Sequence, residues 1–158
     1  MDTYKPLLDE FLNHLQHSKR YSTHTLKAYQ RDLARFLAHL TIPCTHVSVK
    51  EVQNFVSFLH RKQLTAKSIQ RNLSAIRSFY DHLLKRQLIS VNPARLVSAP
   101  KATRTLPHVL DPDQTSQLLD FADVKDADTI CDRAILELFY GSGLRLSEVV
   151  GLRINDVD

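Results

Sequence analysis

The chain has 158 residues, 43% apolar and 24% charged, which places it with globular proteins rather than disordered or membrane-spanning ones and leaves room for one large or two small domains. It carries three glycines, Gly141, Gly143 and Gly151, where an average chain of this length has roughly 11. Sheet-rich folds need tight turns at short intervals, so the long glycine-free stretch before Gly141 excludes an all-β architecture and points to long helices. The net charge of +4 hides a division: residues 1–104 hold 17 Lys+Arg against 6 Asp+Glu (+11), and residues 105–158 hold 4 against 11 (−7). Two modules with different partners are expected, the first suited to a polyanion such as nucleic acid, with a plain solvated basic surface as the alternative.

Four helical patterns fill the first 86 residues. The first, residues 6–17, places Leu7, Leu8, Phe11, Leu12 and Leu15 on one stripe. The second opens at Ser22 or Thr23 as N-cap and carries Leu26, Tyr29, Leu33, Phe36, Leu37 and Leu40 before Pro43 ends it. A third starts with a Ser48 and Glu51 capping box and buries Val52, Phe55, Val56 and Leu59. The fourth begins at Thr65 and runs to about Arg86 with Ile69, Leu73, Ile76, Tyr80 and Leu83 inward. Together they predict a small bundle, domain 1–90.

Prolines 93, 100 and 107 then punctuate small and basic residues, which read as an extended interdomain linker over 91–110. Asp111-Pro112 reads as N-cap and first residue of a helix over 113–121, opening a second domain, 111–158. A helix over 128–140 follows, apolar nearly all round through Ile130, Ala134, Ile135, Leu136, Leu138 and Phe139, a pattern that needs neighbours on several sides. Only 18 residues follow it, so this domain is expected to be incomplete. Gly141 and Gly143 are expected to stop that helix, with a short helix over 144–152 bearing Arg145 in its first turn.

Cys44 and Cys131 lie apart from each other and from ligand-spaced histidines, which predicts reduced thiols and no metal site. No signal peptide or membrane span is legible, so a cytoplasmic location is expected. On the second helix, a step of about 100° per residue puts His24, Lys27, Arg31 and Arg35 opposite the core stripe. On the fourth, Lys67, Arg71, Ser74 and Ser78 lie opposite the core, with Gln70 and Arg77 on the flank. Such faces suit a helix in a DNA groove, with Lys and Arg for phosphates and Gln and Arg for base edges. Arg145, beside unpaired N–H groups after a glycine turn, could grip a phosphate, or be an ordinary surface arginine.

Gly143-Leu144-Arg145-Leu146-Ser147-Glu148, followed by Gly151-Leu152, resembles the first catalytic-arginine motif of tyrosine recombinases. Asn92-Pro93-Ala94, Ser98-Ala99-Pro100-Lys101 and Leu106-Pro107 resemble that family's linker. Ser22-Thr23-His24-Thr25-Leu26 with Tyr29-Gln30-Arg31-Asp32-Leu33, and Leu73-Ser74-Ala75-Ile76-Arg77-Ser78-Phe79-Tyr80, are similar to its DNA-binding helices, and the ordered set is nearest the bacterial Xer type. The resemblance implies a mainly α fold: a four-helix, SAM-like core-binding domain followed by the first helices of a truncated catalytic domain. It implies a clamp on double-stranded DNA at a dif-like site, and strand exchange through a 3′-phosphotyrosyl intermediate without metal or other cofactor. Implied partners are a XerD-like recombinase and further protomers in a tetrameric synapse, and an FtsK-like DNA translocase. Arg145 maps onto the first catalytic arginine. The lysine hairpin, the catalytic His-x-x-Arg and the C-terminal tyrosine have no match, since Tyr4, Tyr21, Tyr29, Tyr80 and Tyr140 all precede Arg145. An N-terminal fragment inactive as it stands is therefore expected, with a naturally truncated DNA-binding module or a helical interaction scaffold as alternatives.

Overall fold

Local signals begin and end the helices. In a computed structural model describing residues 4–101, 109–120 and 127–156, the chain divides into two units, Met1–Arg104 and Thr105–Asp158. That division coincides with the change of charge sign. In the first unit α1 spans Lys5–His17, α2 Thr23–His39, α3 Val49–Arg61 and α4 Ala66–Lys85. The Ser22 hydroxyl accepts from Thr25 N and the Thr65 hydroxyl from Ser68 N, each at 3.3 Å. At α3 the expected capping box is formed, with Ser48 N donating to Glu51 Oε2 at 2.8 Å and Ser48 Oγ accepting from Lys50 N at 3.2 Å.

With no glycine available in this unit, α3 and α4 end on glutamine. Gln63 (φ 55°) and Gln87 (φ 59°) occupy the left-handed position that usually belongs to glycine. Paired bonds close each end: Gln63 N to His60 O and Leu64 N to Leu59 O, then Gln87 N to Leu84 O and Leu88 N to Leu83 O.

The core forms where the four stripes meet. Phe11, Phe36, Phe55, Phe79 and Tyr80 are at most 1% exposed. Their rings pack edge to face, Phe36 to Phe55 at 5.0 Å and Phe11 to Phe79 at 5.5 Å between centroids. Tyr80 keeps its hydroxyl satisfied by donating to Cys44 O at 3.0 Å, while burial pushes its pKa up. Of the expected stripes, Leu7, Leu12, Leu26, Tyr29, Leu40 and Val56 are only partly buried, at the edges of this core.

The first half of the expected linker is not extended away from the bundle. Ala94 and Val97 are 0% and 3% exposed and join the core. Buried Asn92 donates to Arg77 O at 3.0 Å and Asp81 Oδ1 at 2.9 Å, and its own Oδ1 accepts from Ala94 N at 2.9 Å. Arg77 in return donates to the carbonyls of Ala94 and Val97. Composition missed this, because short side chains next to proline can still fill a groove once backbone carbonyls find donors on a neighbouring helix. Residues 102–108 of that linker lie outside the described residues.

The second unit contains α5 (Pro112–Asp120), α6 (Ala127–Ser142) and α7 (Leu146–Gly151). Asp111 caps α5 as expected, its Oδ1 accepting from Gln114 N at 2.8 Å, and Phe121, the expected last residue of that helix, lies outside the described residues. The helix α6 does not stop at Gly141. It continues to Ser142, and Gly143 alone makes the turn with φ 63°.

Candidate nucleic-acid interface

The N-cap at Ser22 sets the phase of α2. With Leu33, Phe36 and Leu37 at 0–2% exposure on one side, His24, Lys27, Arg31 and Arg35 all stand exposed on the other. Arg31 Nε also donates to the carbonyl of Lys27 at 3.3 Å, which holds its stem along the helix surface. On α4 the same logic leaves Lys67, Arg71 and Ser74 exposed opposite Ile69, Leu73 and Ile76.

Three residues of this face and its flank are not free donors, and one of them is Arg77, which is given to the carbonyls of Ala94 and Val97. The amide of Gln70 is half-buried and donates to Pro100 O at 2.7 Å, so it ties α4 to the chain's own backbone instead of standing open for a base edge. Arg71 spans from α4 to α2, where its Nε and Nη2 donate to Asp32 Oδ2 and Oδ1 at 2.8 and 3.2 Å. Asp32 is 1% exposed, whereas the Arg71 side chain keeps 48% of its surface. The hydrogen bond from Arg71 to this carboxylate raises the guanidinium's already high pKa and fixes it as a cation. Asp32 is a functional candidate that the charge pattern overlooked. Its signal was position: an acid between Tyr29 and Phe36 on the inward side of a basic helix needs a buried partner.

Arg145 lies just before α7, in extended backbone (φ −77°, ψ 154°), and not in the helix's first turn. Its N–H donates to Glu148 Oε2 at 2.6 Å, and its Nη1 lies 3.3 Å from Glu148 Oε1. These bonds from Arg145 pull the Glu148 carboxyl below the usual carboxylate range. Arginine offers no acceptor in return, so only the Glu half of a capping box exists here. The Arg145 side chain is 83% exposed. Among the described residues no group of three or more His, Cys, Asp or Glu is placed to hold a metal, and no helix is long and apolar enough to cross a membrane.

The order of parts, a capped four-helix unit and then a helical segment with a glycine turn before an exposed arginine, matches known families. Residues 8–87 match the phage integrase N-terminal SAM-like domain, and residues 108–158 match the phage integrase family model. The chain belongs to the phage integrase family. Within it, the tyrosine recombinase XerC of Xanthomonas axonopodis pv. citri is 45% identical, covering 96% of this chain and 54% of its own length. XerC of Psychromonas ingrahamii is 42% identical, covering 99% and 54%. The chain thus spans about half the length of the curated relatives it matches. Among solved structures, the Tn1549 transposon integrase in complex with circular intermediate DNA superposes with a TM-score of 0.72 at 20% identity, over 96% of this chain and 50% of that one. The XerA recombinase gives 0.51 at 22%, over 98% and 52%. The mainly helical integrase fold expected from the sequence is the one observed.

Proposed function

We propose that the helical unit grips duplex DNA during site-specific recombination, and that Arg145 supplies a phosphate-holding guanidinium to phosphotyrosyl strand exchange in a protein of the relatives' length. The observation that carries this reading is the outward face of α2, where His24, Lys27, Arg31 and Arg35 are exposed together on a unit of charge +11. Lys and Arg at helical spacing meet phosphates along a groove, while Lys67 and Ser74 of α4 extend the same chemistry. Arg145, just before α7 and 83% exposed while paired with Glu148, would stabilise charge on a phosphorus centre but carries no nucleophile itself. The family resemblance supports the finer reading: a dif-like site, a XerD-like partner recombinase in a tetrameric synapse, an FtsK-like translocase and a cytoplasmic setting. Domains 1–90, 91–110 and 111–158 belong to the same reading, with residues 92–100 assigned to the DNA-binding body. The free thiols of buried Cys44 and exposed Cys131 suit a reducing compartment.

The test is a salt series of duplex binding with the whole chain. Binding should weaken steeply with salt, and Lys27→Ala with Arg35→Ala should flatten the slope of log K against log salt by roughly one unit per lost phosphate contact. No duplex binding at low salt, or an unchanged slope in the double variant, overturns the reading.

A further inference from the structure

Arg71 and Asp32 form a pair whose arrangement goes beyond tying two helices together. A guanidinium has five N–H donors, and the Nε and Nη2 edge of Arg71 gives two of them to Asp32. The three that remain include one N–H on each of Nη1 and Nη2, the end-on fork that matches two oxygens of a phosphate. Because Asp32 is buried and accepts on both oxygens, the guanidinium is held in one orientation, and the N–H groups not given to Asp32, this fork among them, belong to a side chain that keeps 48% of its surface exposed. Lys67 and Ser74 lie one turn before and one turn after Arg71 on α4, both exposed on the same face. A carboxylate beneath a surface that meets polyanions would repel them, a cost that its ion pair with Arg71 offsets.

We propose that the α2–α4 seam holds a site for a DNA backbone phosphate, in which the outer fork of Arg71 makes the contact, Lys67 and Ser74 flank it, and Asp32 is the positioning residue that aims it. The proposal rests on the reading of this unit as DNA-binding and names one subsite within it. It predicts a sign that charge counting reverses: removing the negative charge of Asp32 weakens DNA binding.

The experiment measures a 30-base-pair duplex probe by fluorescence anisotropy across a salt series, using the whole chain and thermal unfolding curves to verify that each variant is folded at the assay temperature. Asp32→Asn should weaken binding about tenfold, the scale of one charged contact. Arg71→Lys, which keeps the charge and can still reach Asp32 but has no fork, should weaken it similarly while leaving the salt slope nearly unchanged. Arg71→Ala should lower both affinity and slope, the slope by about one unit. If Asp32→Asn is unfolded, Arg71→Lys decides. Wild-type affinity in Arg71→Lys, or tighter binding in folded Asp32→Asn, overturns the proposal and leaves the pair a structural tie. In that outcome a weakened Lys27→Ala variant shows the DNA-binding reading still standing, whereas a wild-type chain that binds no duplex removes both.

Discussion

In the first unit Phe11, Phe36, Phe55, Phe79 and Tyr80 are at most 1% exposed, whereas in the second no described side chain is fully buried, and Ile130, Tyr140 and Leu146 are 55%, 68% and 68% exposed. Apolar content does not explain the contrast, since α6 is apolar on more of its circumference than α2. The difference lies in partners. Each helix of the first unit has a narrow apolar stripe, and three neighbours of 13 to 20 residues complete a closed core around it. Among the described residues of the second unit, the helices beside α6 are α5 and α7, of 9 and 6 residues, which cannot cover several sides of a 16-residue helix. Hydrophobic patterning thus says how much surface a helix must bury, and the neighbours decide whether it does.

The contrast can be broken most directly in the cores. Phe36→Ala should destabilise the first unit by about 3–5 kcal/mol in equilibrium denaturation, because a fully buried ring leaves a cavity. Leu138→Ala, on half-buried α6, should cost about 1 kcal/mol or less. Equal losses would mean that the second unit has a core of its own. A smaller effect sharpens where the first unit ends. Asn92→Ala strips three hydrogen bonds from buried backbone and side-chain groups and should cost about 1–3 kcal/mol. A neutral result would return residues 92–100 to the role of a simple linker. The smallest expected effect runs the other way: Gln87→Gly or Gln63→Gly should stabilise the first unit by about 1 kcal/mol each, by relieving a left-handed φ that carries a side chain. No gain in thermal unfolding midpoint from either would show that the glutamine side chains compensate for that strain.

Much of the fold was legible because its signals are local. Ser22, Ser48, Thr65 and Asp111 each satisfy amides within three residues, so the helix starts follow from side-chain chemistry alone. The helix ends were less legible. A sequence without glycine offers no stop signal at Gln63 or Gln87, and at Gly141 it offers one that α6 ignores, since a glycine permits a turn without requiring one. Of the candidate site, the α2 face follows from periodicity, and Arg145 from the motif around it. The commitments of Gln70, Arg71 and Arg77 do not, because their partners Pro100, Asp32, Ala94 and Val97 lie 17 to 39 residues away.

The sequence by itself determined the helical class, the four amphipathic stripes, the reversal of charge near residue 104 and the family, all of which are written in spacing, composition and short motifs. Only the tertiary structure decided which basic residues remain free on the outer face, that Asp32 is buried beneath Arg71, and that residues 92–100 close the first unit. The physical reason is range. Capping and amphipathicity act within a turn or two of the chain, whereas a buried carboxylate or an orphan carbonyl is satisfied by whichever donor folding brings beside it.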